Sequence, residues 1–206
     1  MKNNIKLKEV LLVILIMIMT GCAHKSKVIN MDPNGNHQAT KGLTNDDFRK
    51  AAHSSIASMV KSGALNKRGG GRYVLVISDI INDTMQRIDT DQLIKKIRIS
   101  LLQSGKVVVT TAMSANGAED KMSMKVRTLR GSSEFNGRTI AKRGQMIAPD
   151  LSLSGKIIQK NVEVDSDTVR IEYYFQLTLT ELNTGLAFWE GEVVLGKQAS
   201  SDSASW

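Results

Sequence analysis

The chain is poor in the residues from which metal centres and disulfide frameworks are built. Its 206 residues include 1 cysteine and 3 histidines. A single cysteine excludes a disulfide framework and any zinc site made of cysteines. The histidines are His24, His37 and His53, and all of them precede residue 54. The sequence therefore predicts no metal and no cofactor.

The same scarcity argues against catalysis. A Ser-His-Asp site needs a histidine held beside a nucleophile, and the predicted folded region contains only His53, on a helix surface. Two carboxylates can cleave a glycan, and Asp79, Asp83, Asp89 and Asp91 cluster in sequence. Two of these are better explained by helix capping and by the helix dipole. We therefore predict that the chain is not an enzyme.

Proline and aromatic residues are also few. The chain has 2 prolines and an aromatic share of 4%, which argues against a proline-rich array and against an aromatic-lined surface for nucleic acid. A hydrophobic share of 41% and a charged share of 23% are globular values. The length suits one domain with appendages.

The first 22 residues are typical of an export signal. Three lysines precede an unbroken apolar run, Val10–Met19, which is too short to span a bilayer comfortably. The run ends in Met-Thr-Gly-Cys at Cys22, which resembles the lipobox of bacterial lipoproteins, where the cysteine is acylated and becomes the mature N-terminus. Ala23 follows, where an aspartate commonly signals inner-membrane retention. The pattern indicates an outer-membrane lipoprotein facing the periplasm; a transmembrane anchor with an incidental cysteine is the alternative.

Export also affects how the positive net charge of the chain is interpreted. The formal charge is +8 and the pI is about 9.6; the leader contributes +2, which leaves 8 − 2 = +6 for the mature chain. Such a pI is compatible with DNA binding, but export removes the protein from the nucleoid. No nucleic-acid partner is therefore expected.

We divide the chain into four segments: a signal peptide (1–21), a lipidated cysteine with a flexible tether (22–43), a globular domain (44–197) and a disordered tail (198–206). The tether is polar and shows no sustained periodicity. It spans about 70 Å when fully extended and about 25 Å as a random coil.

The globular domain is organised around a strand, a capped helix and a second strand within residues 74–112. Val74–Ile77 is a short apolar run typical of a buried strand. Asp89 is predicted to cap the following helix, with Gln92 closing a capping box. Val107–Val109 begins the second strand. A unit of this kind joins two parallel strands.

Helices and strands flank this unit. Thr44 is predicted to cap a first helix, and two further helices are predicted at residues 118–129 and 138–147. Three antiparallel strands follow; the second, around Tyr173, alternates almost perfectly between apolar and polar residues. The predicted fold is α/β in the broad sense (α+β), with the order αβαβααβββ and a mixed sheet flanked by helices.

Several spaced motifs in this domain resemble those of the LpoB family. They are Asn82-x-Thr84, Ile88-Asp89-Thr90, Leu93, Leu101, Ser104-Gly105-Lys106, Asn183-Thr184-Gly185 and Phe188-Trp189. The resemblance implies an outer-membrane lipoprotein that activates a bifunctional, class A penicillin-binding protein in peptidoglycan synthesis. It also implies a domain like the N-terminal domain of TolB. Well-studied members have a longer, proline-rich tether.

Two stretches are candidate contacts for the partner. The first, which we call the polar turn, contains Asn82, Thr84, Gln86 and Arg87. The second, which we call the basic segment, contains Lys121, Lys125, Arg127, Arg138, Lys142 and Arg143. A local turn would explain the polar turn, and a solvated helical face would explain the basic segment. We favour the basic segment, because its charges have no evident local role. The alternative function is a lipoprotein adaptor of an envelope export or assembly apparatus.

Overall fold

The computed structural model describes residues 42–115 and 119–200. The predicted signal peptide, Cys22, nearly all of the tether and the end of the predicted tail lie outside these residues. Nothing in the described ranges forms a helix of the length and hydropathy that a bilayer crossing requires.

The described residues fold into a mixed sheet with helices packed on it. In chain order the elements are α1 (Asn45–Lys61), β1 (Tyr73–Asp83), α2 (Thr90–Gln103), β2 (Val107–Val109), α3 (Met122–Lys125), a 3₁₀ helix (Val126–Gly131), β3 (Leu151–Glu163), β4 (Thr168–Glu181) and β5 (Ala187–Ser200). The strand order is β2-β1-β3-β4-β5. β1 pairs in parallel with both β2 and β3, whereas β3, β4 and β5 pair antiparallel. The predicted α+β class and mixed sheet are confirmed.

The core lies between this sheet and the two long helices. α1 packs on α2 and on β5, and α2 packs on β1 and β2. Period-two alternation sends every second residue of each strand to this covered side. Fully or nearly fully buried side chains there include Leu75, Ile77, Leu153, Ile157, Tyr173, Phe175 and Leu179. Phe48 of α1 meets Phe175 edge-to-face, with the ring centroids 6.3 Å apart.

Both predicted N-caps are confirmed, but the capping box is on the other helix. Thr44 Oγ1 accepts a hydrogen bond from the Asp47 N–H, and Asp47 Oδ2 accepts from the Thr44 N–H in return. Asp89 caps α2 through the N–H of Asp91. The box predicted with Gln92 is wrong: the Asp89 carboxylate is engaged one position earlier, and Gln92 is exposed.

β1 is longer than the sequence predicted. It continues past Ile77 to Asp83, with a register shift between Ile77 and Ile80. The irregularity resets the alternation, so that Ile80 is buried while Ile81 is exposed. A strict period of two therefore breaks at the point where the sequence pattern turns polar.

The helices predicted between β2 and β3 are largely wrong. Residues 138–147 form turns and bends, and Gly144 has a positive φ of 76°. The helix predicted at 118–129 is reduced to the short α3 and the 3₁₀ helix. Met122 and Val126, which were predicted to share one side of that helix, are exposed. A short helix gains most of its stability from packing its apolar face, and these faces have little cover.

The end of β5 also differs from the prediction. The strand continues to Ser200 and remains paired with β4 as far as Thr168. It therefore takes up the first three residues of the predicted tail. The backbone pairing with β4 gives these residues hydrogen bonds that their serine-rich sequence did not suggest.

Asp150 connects the starts of the two parallel strands β1 and β3. Its Oδ2 accepts hydrogen bonds from the Val74 N–H at 2.8 Å and from Lys67 Nζ at 2.9 Å. Its own N–H donates to the Val74 carbonyl oxygen at 2.7 Å. Burial alone would raise the pKa of Asp150, but the Val74 N–H and the Lys67 ammonium outweigh it and hold that pKa below its usual value.

We predict that Asp150→Asn destabilises the fold by about 1 kcal/mol at neutral pH, the order expected for hydrogen bonds to a half-exposed charged group. Because the folded-state pKa is depressed, the stabilisation is present above the unfolded-state pKa and is lost as the pH falls through the folded-state pKa. Urea unfolding at neutral pH and near pH 3 measures this. An equal difference between the two proteins at both pH values would contradict the assignment.

Candidate functional site

The polar turn is closed by its own hydrogen bonds. Asn82, near the end of β1, donates from Nδ2 to the Gln86 carbonyl oxygen at 2.9 Å. Thr84 Oγ1 donates to Asn82 Oδ1 at 2.7 Å and accepts from the Gln86 N–H at 3.2 Å. These contacts are those of a side-chain-stabilised turn. They give Asn82 and Thr84 a local structural role.

Gln86 connects this turn to the beginning of the folded domain. The Leu43 N–H donates to Gln86 Oε1 at 2.8 Å, and Gln86 Nε2 donates to the Leu43 carbonyl oxygen at 3.2 Å. The side-chain amide thus binds both backbone groups of one residue. A Cβ at Gly42 would lie 2.8 Å from Gln86 Oε1, so glycine permits the close approach. Arg87 is exposed.

Most of the basic segment is exposed. Lys121, Lys125, Arg138, Lys142 and Arg143 all face solvent. Arg127 is half-buried and its Nη1 donates to the Ser123 carbonyl oxygen within the same helical stretch. The structure therefore leaves five of the six predicted basic residues accessible to a partner.

Arg130 holds the two halves of the basic segment together. Its Nε and Nη2 donate to the Ala141 carbonyl oxygen at 2.8 and 2.6 Å. The contact brings the 3₁₀ helix next to the residues that precede Lys142 and Arg143. Arg130 was not singled out from the sequence, because a bond across eleven residues leaves no periodic signal.

Large apolar side chains are exposed in the same connection between β2 and β3. They are Met113, Met122, Met124, Val126, Phe135, Met146 and Ile147. Methionine adapts its shape to different partner surfaces, and exposed apolar groups among charged ones are typical of interaction surfaces. Sequence reasoning missed this feature, since it placed Met122 and Val126 together on one side of a regular helix. The sequence did offer one signal for this surface: methionines are frequent in this connection and do not recur at helical spacing.

The carboxyl groups of the described residues with a shifted pKa are all shifted downward. Hydrogen bonds from Arg49 and Lys50 lower the pKa of Asp46 to about 2. A hydrogen bond from the Tyr174 hydroxyl lowers the pKa of Glu172. A general acid needs the opposite shift. Within residues 42–115 and 119–200, no three histidine, cysteine or acidic side chains are grouped to hold a metal ion.

A protein-family model matches the part of the chain that forms the fold described above. The model of the family "Peptidoglycan-synthase activator LpoB" matches residues 47–195. This range starts in α1, ends in β5 and includes both candidate surfaces. A search of curated protein sequences gave no significant match.

Solved structures of the family are similar at low sequence identity. The LpoB C-terminal domain from Escherichia coli is 13% identical, with 72% of this chain and 98% of that chain covered and a TM-score of 0.42. The corresponding domain from Salmonella enterica is 13% identical, with the same coverage and a TM-score of 0.44. The NMR structure of E. coli LpoB is 15% identical, with 85% of this chain and 83% of that chain covered and a TM-score of 0.39.

The family model matches well over half of the chain and covers nearly the whole described fold. Members of this family regulate an enzyme and are not enzymes themselves. The chain belongs to the LpoB family of peptidoglycan-synthase activators.

Proposed function

We propose that the chain is an outer-membrane lipoprotein that binds a class A penicillin-binding protein in the periplasm and activates its synthesis of peptidoglycan. The family match across residues 47–195 is the observation that carries this proposal. The leader that ends at Cys22 supplies the route to the periplasm and to the membrane.

Activation has a thermodynamic requirement. A bound protein shifts its partner toward an active form only if it binds that form more tightly than the inactive one. A tenfold difference in affinity corresponds to about 1.4 kcal/mol. The activator needs no chemistry of its own for this, and a surface complementary to one state of the synthase is sufficient.

The basic segment is the better candidate for that surface. Asn82, Thr84 and Gln86 already bind within the protein, so a partner would have to compete with those hydrogen bonds. The exposed cations of the basic segment have no such commitment to the fold, and exposed methionines lie in the same connection. Charge accelerates encounter, whereas buried apolar contacts slow dissociation. The connection between β2 and β3 offers both kinds of side chain.

The lipid anchor would fix the domain close to one membrane. Each buried CH₂ of an acyl chain contributes about 0.8 kcal/mol, and stable anchoring takes about two chains. A lipidated Cys22 would therefore hold the chain on the membrane permanently. As a random coil, the tether would then place the folded domain about 25 Å from the membrane on average.

We predict that Cys22→Ala abolishes lipidation and signal cleavage, because the thiol of Cys22 is the group that is acylated during processing. Gel mobility together with membrane fractionation measures this. Ala23→Ser is the matched control and should be processed normally, whereas Ala23→Asp should redirect the protein to the inner membrane. Mature-sized Cys22→Ala protein in the outer-membrane fraction would show that the lipoprotein assignment is wrong.

We predict that reversing Lys125, Arg138 and Lys142 to glutamate slows association with the synthase by about tenfold or more at low salt and flattens its salt dependence. The thermal midpoint should change little, because these side chains are exposed. Biosensor kinetics at two ionic strengths and a melting curve measure the two effects.

A matched control separates local from total charge in this experiment. The exposed cations Lys61, Arg72 and Lys106 lie outside the basic segment, and reversing them changes the net charge equally. The control should associate nearly as fast as the parent protein. Equal slowing by both triple variants would exclude the basic segment as the docking surface.

A further inference from the structure

A groove of about 500 Å³ lies between the solvent-facing sides of α1 and α2. It belongs to neither the polar turn nor the basic segment. The lining residues are Arg49, Lys50, His53 and Ser54 from α1, and Lys96, Ile99, Ser100 and Gln103 from α2. Helical spacing places each set on one side of its helix.

The groove carries lysines from both helices, Lys50 of α1 and Lys96 of α2. Asp46 is the carboxylate beside it; its Oδ1 binds Arg49 and its Oδ2 lies 2.9 Å from Lys50 Nζ. Lys96 adds a third cation across the groove, and the exposed Lys95 lies next to it on α2. The groove therefore suits an anionic ligand.

Exposed apolar side chains accompany these cations on α2. Ile99 is 40% exposed and Leu102 is 49% exposed, although Ile97 and Leu101 of the same helix are fully buried. Lys95, Ile99 and Leu102 follow each other at spacings of four and three residues, on one face. Exposed aliphatic side chains of this kind can enter a membrane interface while neighbouring lysines meet anionic headgroups.

The chain enters the folded domain close to this groove. Gly42 and Leu43 lie just before α1, and Gln86 fixes Leu43 in place. Arg49 follows one turn into the helix, about 6 Å along its axis from Asn45. A tether running from Cys22 keeps this end of α1 within about 25 Å of the anchoring membrane on average.

We propose that the α1–α2 groove docks on the anionic phospholipid headgroups of the membrane leaflet that carries the lipid anchor. This inference rests on the proposed lipidation of Cys22. Lys50 and Lys96 bind lipid phosphates, while Ile99 and Leu102 enter the headgroup layer. The short distance from anchor to groove favours a membrane as the occupant, and the exposed aliphatic groups favour it over a soluble acidic polymer.

Docking of this kind would hold the folded domain against the outer membrane when no synthase is bound. The basic segment is built from a different part of the chain, so the two surfaces can be altered separately. Binding to a synthase would then compete with binding to the membrane only if the domain has to leave the leaflet to reach the synthase. The balance between the two states would set how much activator is available.

The test uses the chain from residue 22 onward with Cys22→Ser, which retains every described helix and strand and carries no acyl chain. Cosedimentation measures binding to phosphatidylcholine vesicles with and without phosphatidylglycerol. We expect binding to the anionic vesicles alone. The pair Lys50→Gln and Lys96→Gln should weaken that binding about 25-fold, since each cation near an anionic leaflet contributes a factor of about five.

Two further variants complete the design. The control pair Arg72→Gln and Lys106→Gln removes the same charge outside the groove and should bind nearly normally. The pair Ile99→Ser and Leu102→Ser should weaken vesicle binding with every cation in place. Melting curves confirm that each variant is folded.

Two outcomes would overturn the proposal. One is equal weakening by the groove pair and the control pair, which would indicate a diffuse charge effect. The other is normal vesicle binding by the groove pair with slowed synthase association, which would assign the groove to a protein partner. A failure of Cys22 processing in cells would leave the vesicle result intact, so the two proposals fail independently.

Discussion

The Asp47 carboxylate is the contact on which the assembly of the domain most depends. Its Oδ2 accepts from the Thr44 N–H at 2.8 Å, from Thr44 Oγ1 at 2.7 Å and from Lys197 Nζ at 2.7 Å. Asp47 is 7% exposed, and Lys197 is a residue of the edge strand β5. One acid thus fixes the first turn of α1 and joins that helix to the last strand. Loss of either charged partner would leave the other nearly buried and unpaired, which is strongly destabilising.

This contact also determines where the domain meets the preceding chain. With α1 fixed over β5, Leu43 lies within reach of Gln86, and their two hydrogen bonds hold the residue before the helix cap. Tension on a tether would act first on these bonds and on the Thr44 cap, both of which belong to the packed end of the domain. The preceding chain therefore joins the domain at an end that is held in place by hydrogen bonds and packing.

Local signals in the sequence were sufficient for much of this fold. The caps at Thr44 and Asp89 and the alternation of β4 depend on residues a few positions apart, and the structure confirms them. The failures depend on distant contacts. The end of β1 was missed because a register shift interrupts the alternation, and the helix at 138–147 was predicted without a surface to pack on. The Gln86–Leu43 contact spans 43 residues. The sequence therefore indicated the polar turn but not the hydrogen bonds that Gln86 makes to Leu43. The α1–α2 groove likewise requires the packing of two helices.

The strand order explains why a long, charged connection is tolerated. β2 and β3 lie on opposite sides of β1 and are both parallel to it, so the chain between them must cross β1 and return to the starting end of the sheet. A connection of that kind has to be long, and lengthening a surface loop costs little free energy once it is closed. Its side chains are mostly exposed, and the core is complete without them. Cations and methionines can therefore change in this segment with little effect on folding, and selection on partner binding can act there largely independently of selection on stability.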